Sequence, residues 1–96
     1  DSNTQKLLHE KNVDKEYLVN LYLYLRHRLR RDTLDGHSII FKCFYTPAIL
    51  SLALDLFDGN RMVSEHGDES TALIRFQEGL KENLGTQTDH FLILEE

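Results

Sequence analysis

The chain has 96 residues, with 11 Lys+Arg against 16 Asp+Glu for a formal charge of −5, 41% apolar and 28% charged residues, five Gly and one Pro. That composition fits one folded unit and excludes a disordered, collagen-like or low-complexity chain; a second domain of ordinary size does not fit in this length. No uninterrupted apolar run approaches the roughly 20 residues of a membrane-spanning helix, and a lone Cys43 excludes both an intrachain disulfide and a Cys-rich zinc site. Secreted domains of this size are commonly stapled by disulfides, so an intracellular location, nuclear or cytoplasmic, is expected. The chain starts at Asp1 with neither an initiator Met nor an apolar secretory segment, which reads as a piece or processed form of a longer protein.

Residues 1–12 are polar apart from Leu7 and Leu8 and read as a flexible lead-in. The interaction-competent unit is then 13–96. Its first element starts at Asp14, which caps free backbone N–H groups while Glu16 suits the positive helix start. Leu18, Leu21, Tyr22, Leu25 and Leu29 follow helical spacing towards a stop at Asp35-Gly36. Leu21, Leu23 and Leu25 also alternate as in a strand, but the length and the cap favour helix. Residues 37–45 (HSIIFKCFY) read as a short helix or an irregular apolar connector.

Thr46 is a good N-cap, Pro47 at the first helical position loses no needed hydrogen bond, and Gly59 is placed to stop the helix. Between them, Ser51, Asp55 and Asp58 form one narrow polar stripe, and apolar residues cover the rest of the circumference. Such a helix must be buried on several sides. Burying one Leu or Phe is worth roughly 1.5–3 kcal/mol, so leaving two exposed would take a large share of the stability of a small domain. A short chain has little material to wrap it, which makes Ile49, Leu52, Leu56 and Phe57 candidate contacts with a protein partner or a second copy, assisted by Tyr22 and Tyr24 as aromatic anchors.

After Gly59, Arg61–His66 reads as a short strand ended by Gly67-Asp68, and His90–Glu95 as a terminal strand paired with it. Residues 71–84 have two readings. As a strand, Ala72, Ile74 and Phe76 point inward. As a helix, Ser70 caps it, Leu73, Phe76, Leu80 and Leu84 form a stripe and Gly85 stops it, with Gly79 weakening it by about 1 kcal/mol. Helix is favoured. The fold class expected is therefore α+β, a small helix-rich single domain with two or more short antiparallel strands.

The main polar feature is Arg26, His27, Arg28, Arg30 and Arg31. Residues 1–45 carry eight Lys+Arg against six acids, and residues 46–96 three against ten, so the chain is polarised. Arg26, Arg28, Arg30 and Arg31 suit nucleic-acid phosphates, which makes a nucleic-acid-binding accessory domain the alternative function. The same cations also suit a solvated helix C-terminus or pairing with acids such as Glu65, Asp68 and Glu69, and an acidic chain is a poor stand-alone nucleic-acid binder. The five histidines show no metal spacing, and Asp55, Asp58 and Asn60 lack the alternating ligands and closing Glu of a calcium loop. No GxSxG, Walker A or GxGxxG occurs. No catalytic residue, metal or cofactor is assigned, and the chain is read as not being an enzyme.

Phe41–Val63, FKCFYTPAILSLALDLFDGNRMV, resembles the segment preceding the zinc finger in the SWIM-type proteins of the Shu complex. There an aromatic run leads into a helix with an ALDL-x-D core and then a strand; Ala53-Leu54-Asp55-Leu56-Phe57-Asp58 matches that core. Gly59 stands where an Arg commonly follows, and the CxC…CxH zinc motif does not occur, so zinc binding is not carried over. The resemblance covers about a quarter of the chain. It implies assembly with a RecA-like recombinase paralogue and a role in recombinational DNA repair. From the residues themselves, the expected function is a non-catalytic protein–protein interaction or assembly domain.

Overall fold

The computed structural model describes residues 2–29, 32–34, 36–61 and 69–85. Five helices are described: α1 (Ser2–Glu10), α2 (Lys15–Arg28), α3 (Ile39–Tyr45), α4 (Pro47–Arg61) and α5 (Glu69–Leu84). The sheet among the described residues is a two-stranded antiparallel ribbon of β1 (Thr33–Leu34) and β2 (His37–Ser38), with Thr33 opposite Ser38 and Leu34 opposite His37. The expected α+β class is thereby corrected: the chain is a mostly helical small domain, and its two-residue strands build no layer. The strands expected at 61–66 and 90–95 lie outside the described residues, except that Arg61 belongs to α4.

Residues 2–10 form a helix where a frayed lead-in was expected. Thr4 is buried, and Leu7 and Leu8 pack against the core. A polar nine-residue helix is marginal by itself, so its order comes from docking on α4 rather than from propensity. Asn12, with φ of 57°, ends it in the left-handed region that Asn tolerates better than most residues. The Val13 N–H then donates to the Leu8 carbonyl at 2.9 Å, closing the turn.

Asp14 caps α2 as its sequence position suggests: the backbone is extended there, and the carboxylate accepts from the Tyr17 N–H at 2.9 Å. The helix stops at Arg28, short of Asp35-Gly36. Gly36 instead turns the ribbon, with φ of 81°. Asp32 is the reason the chain is needed in another shape here. Its carboxylate accepts from the Ser38 hydroxyl at 3.0 Å and the Ile40 N–H at 2.9 Å, and its carbonyl accepts from the Ile39 N–H at 2.6 Å. Together with the Ser38 hydroxyl, which accepts from the Phe41 N–H at 3.2 Å, these bonds satisfy the otherwise orphaned donors of the first turn of α3.

The axes of α3 and α4 turn by 104° at Thr46, with Pro47 opening α4. Gly59 does not stop α4, which continues to Arg61; among the described residues the left-handed glycines are Gly36 and Gly85. A helical Gly costs about 1 kcal/mol relative to Ala, an amount that packing readily offsets. In α5 the helical reading of 71–84 holds. Leu73, Phe76 and Leu80 are buried, whereas Ile74, an inward residue in the strand reading, is 56% exposed. Gly85 ends α5 with φ of 67° and donates to the Lys81 carbonyl at 2.9 Å.

The core is built around α4. Helix α5 runs along it with the most extensive packing, and α1, α2 and α3 cover its other sides. Ile49, Leu50, Ala53, Leu54, Leu56 and Phe57 are all buried. Gly79 lets α5 approach closely, because a Cβ there would stand 2.1 Å from the Leu52 Cδ1. Among the described residues, no single helix is long and apolar enough to cross a membrane.

Candidate functional site

The residues expected to meet a partner do not share one face. Ile49 and Leu56 are completely enclosed, Phe57 is 8% exposed, and Leu52 is half-buried over Gly79. The apolar wall of α4 is covered by the chain's own α1, α2, α3 and α5, so α4 is not the contact surface that its composition suggests. Tyr24 also faces inward. Its ring lies 5.4 Å from that of Phe57, and its hydroxyl accepts from the Arg28 Nε at 3.3 Å. Tyr22 alone of the six is exposed.

The basic cluster is divided in the same way. Arg28 is buried, with its guanidinium 5.9 Å from the Tyr24 ring centre. Arg26 is on the outer side, 5.8 Å from the Tyr22 ring centre, and Arg30 and Arg31 lie outside the described residues. Two residues along a helix is a rotation of about 200°, so Arg26 and Arg28 cannot serve one phosphate track.

What the structure exposes is a different set. Val19 and Leu23 are 51% and 56% exposed. With Tyr22 and Arg26 they occupy positions i, i+3, i+4 and i+7 of α2, a single outward stripe. The signal was present in the sequence: once Leu21 and Leu25 are assigned inward, the apolar residues left over at 19 and 23 must face out. On α3 the exposed Phe41 and Tyr45 rings lie 4.4 Å apart.

Two cavities are lined by described residues near this surface. One, of about 350 Å³, is lined by Asp14, Glu16, Tyr17, Asn20 and Phe57. Asp14 there is engaged in capping α2, and the Tyr17 hydroxyl donates to Asp58. The other, of about 310 Å³, lies between α1, α2 and α3. Among the described residues, no group of three or more His, Cys, Asp or Glu is gathered in a metal-holding arrangement. Cys43 is buried in the core, and burial, reinforced by the negative charge of Asp32, pushes its thiol up to about 12. At neutral pH it is a protonated core group. No family model, curated protein or solved structure matches the chain.

Proposed function

We propose that the chain is a non-catalytic helical interaction module that pairs with a second copy through the outer face of α2. The observation that carries this reading is the stripe of Val19, Tyr22 and Leu23, each more than 40% exposed and contiguous on one helix face, beside the exposed pair Phe41 and Tyr45 on α3 and the single exposed Ile74 on α5. Isolated exposed apolar residues need no explanation, but contiguous ones on one helix face suit a docking surface.

The case for a second copy is self-complementarity. In an antiparallel pair with its two-fold axis level with Leu21, Val19 faces Leu23 of the second copy, and Glu16 is level with Arg26 of the second copy. Both relations repeat by symmetry, as an isologous interface requires. One helix face is small by the standards of stable interfaces, so the association is concentration-dependent.

Sedimentation equilibrium across a concentration series tests this. The parent chain shifts from monomer to dimer as concentration rises, and Val19→Asp/Leu23→Asp stays monomeric with unchanged helical circular dichroism. Arg26→Glu weakens the dimer, and Glu16→Arg added to it restores pairing. A parent chain that is monomeric at millimolar concentration overturns self-association. If that monomer instead binds a RecA-like recombinase paralogue, the partner implied by the resemblance of Phe41–Val63, and loses it with the Asp variants, the interaction module stands with that partner.

A further inference from the structure

Few side chains hold α1 to the rest of the chain. Thr4 is its buried residue, and Leu7 and Leu8 are half-buried against the core. The remaining residues of Ser2–Glu10 are polar and exposed, and a helix of nine residues does not persist unaided. Two features loosen even this hold. The Thr4 hydroxyl is shut off from water and has no hydrogen-bond partner, so seating α1 carries the desolvation cost of that group. On the flank towards α2 and α3, α1 borders a solvent-open cavity of about 310 Å³, where Leu8 stands across a gap from Leu18 and Phe44 and close packing is lost.

The other helices do not lean on α1. Helix α2 has its own cap at Asp14, buries Leu21 and Leu25, and is tied to α4 through Tyr17 and Asp58. Helix α4 has its most extensive packing against α5 and is also flanked by α3. Between α1 and α2 the chain turns at Asn12, whose φ of 57° makes it the one non-glycine residue in left-handed backbone among the described residues. That conformation is held by bonds back to α1: the Asn12 N–H donates to the His9 carbonyl at 3.1 Å, and the Val13 N–H to the Leu8 carbonyl at 2.9 Å. Releasing α1 breaks both and lets Asn12 return to ordinary backbone.

We infer that α1 is a detachable cover, which comes off α4 as one unit about the Lys11–Val13 connector while α2, α3, α4 and α5 stay assembled. The part of α4 beneath α1 is closed to solvent in one state and open to it in the other. Moving lids are drawn from such low-stability elements. Pairing through Val19, Tyr22 and Leu23 is not needed for it.

Native-state amide hydrogen exchange, followed by NMR in a series of dilute urea concentrations, tests this. The amides of Lys6–Glu10 exchange together with those of Asn12 and Val13, about tenfold or more faster than the slowest amides of α4. Urea quickens the α4 set steeply, because global unfolding exposes the whole core, and quickens the α1 set with about a third of that slope or less. Thr4→Val slows the entire α1 set about fivefold, since the closed state no longer holds an unpaired hydroxyl. Protection that fades gradually from Glu10 towards Ser2 would be fraying and not a unit. That gradient, a urea slope in α1 as steep as in α4, or an α1 set unchanged by Thr4→Val overturns the assignment.

Discussion

The Tyr17 hydroxyl donates to the Asp58 carboxylate across 41 residues of chain, joining the start of α2 to the end of α4. The same ring meets Phe57 edge-on with centres 5.2 Å apart. One side chain therefore contributes both a polar tie and an aromatic contact at the place where α2 crosses the core helix. Tyr17→Phe removes the first and keeps the second. The expected loss is about 1 kcal/mol, or roughly 4–8 °C in the thermal midpoint of a domain this size. Tyr17→Ala costs clearly more, because the ring contact goes as well. Thermal unfolding by circular dichroism separates the two, and equal losses would show that the hydroxyl contributes nothing.

Thr4→Val acts in the opposite direction. Replacing a buried, unpartnered hydroxyl by a methyl of the same shape removes a desolvation cost, so stability rises by about 1 kcal/mol. Urea denaturation gives the number. A variant less stable than the parent would mean that the hydroxyl is satisfied in solution.

Cys43 ties stability to alkaline pH. In the unfolded chain its thiol titrates near 9, whereas the buried thiol in the folded chain titrates at about 12. The folded state therefore holds the proton that the unfolded state releases, and stability falls as pH rises through that window, by up to about 1.4 kcal/mol per pH unit. Below pH about 9 the group contributes no pH dependence. Cys43→Ala should flatten the slope relative to the parent when unfolding is measured between pH 9 and 11, and parallel curves would refute the assignment. The folded thiol should also resist alkylation at pH 8 until denaturant is added.

Gly79 and Leu52 form a coupled pair. In the parent, the Cβ of Gly79→Ala meets the terminal Cδ1 methyl of the half-buried Leu52, which must shift, so the gain of about 1 kcal/mol in helix propensity is largely offset and stability hardly changes. In a Leu52→Ala background the collision is absent and the same substitution gains about 1 kcal/mol. A double-mutant cycle reads the coupling directly; additive effects would show that the helices separate to accommodate the methyl.

The legible parts of this fold were those set within one or two turns of chain. Asp14 as the cap of α2, Pro47 as the start of α4 and Gly85 as the end of α5 each follow from backbone chemistry that neighbours cannot easily reverse. The helical stripe of Leu73, Phe76 and Leu80 was equally readable. Gly59 was misread because a glycine permits a left-handed stop without requiring one. The candidate site fared worse for a related reason. Periodicity tells which residues share a side of a helix, but it does not tell what lies against that side.

By itself, then, the amino-acid order determined the starts of α2 and α4, the α5 stop, the apolar character of α4 and the unequal distribution of charge, all consequences of local bonding and composition. Only the tertiary structure decided that α1 is a helix, that α4 is wrapped by its own chain, and that Arg28 turns inward while Arg26 turns out. Those outcomes depend on which helices compete for the same buried surface. That competition is settled among segments far apart in sequence, where burial energies of several side chains together exceed any single local preference.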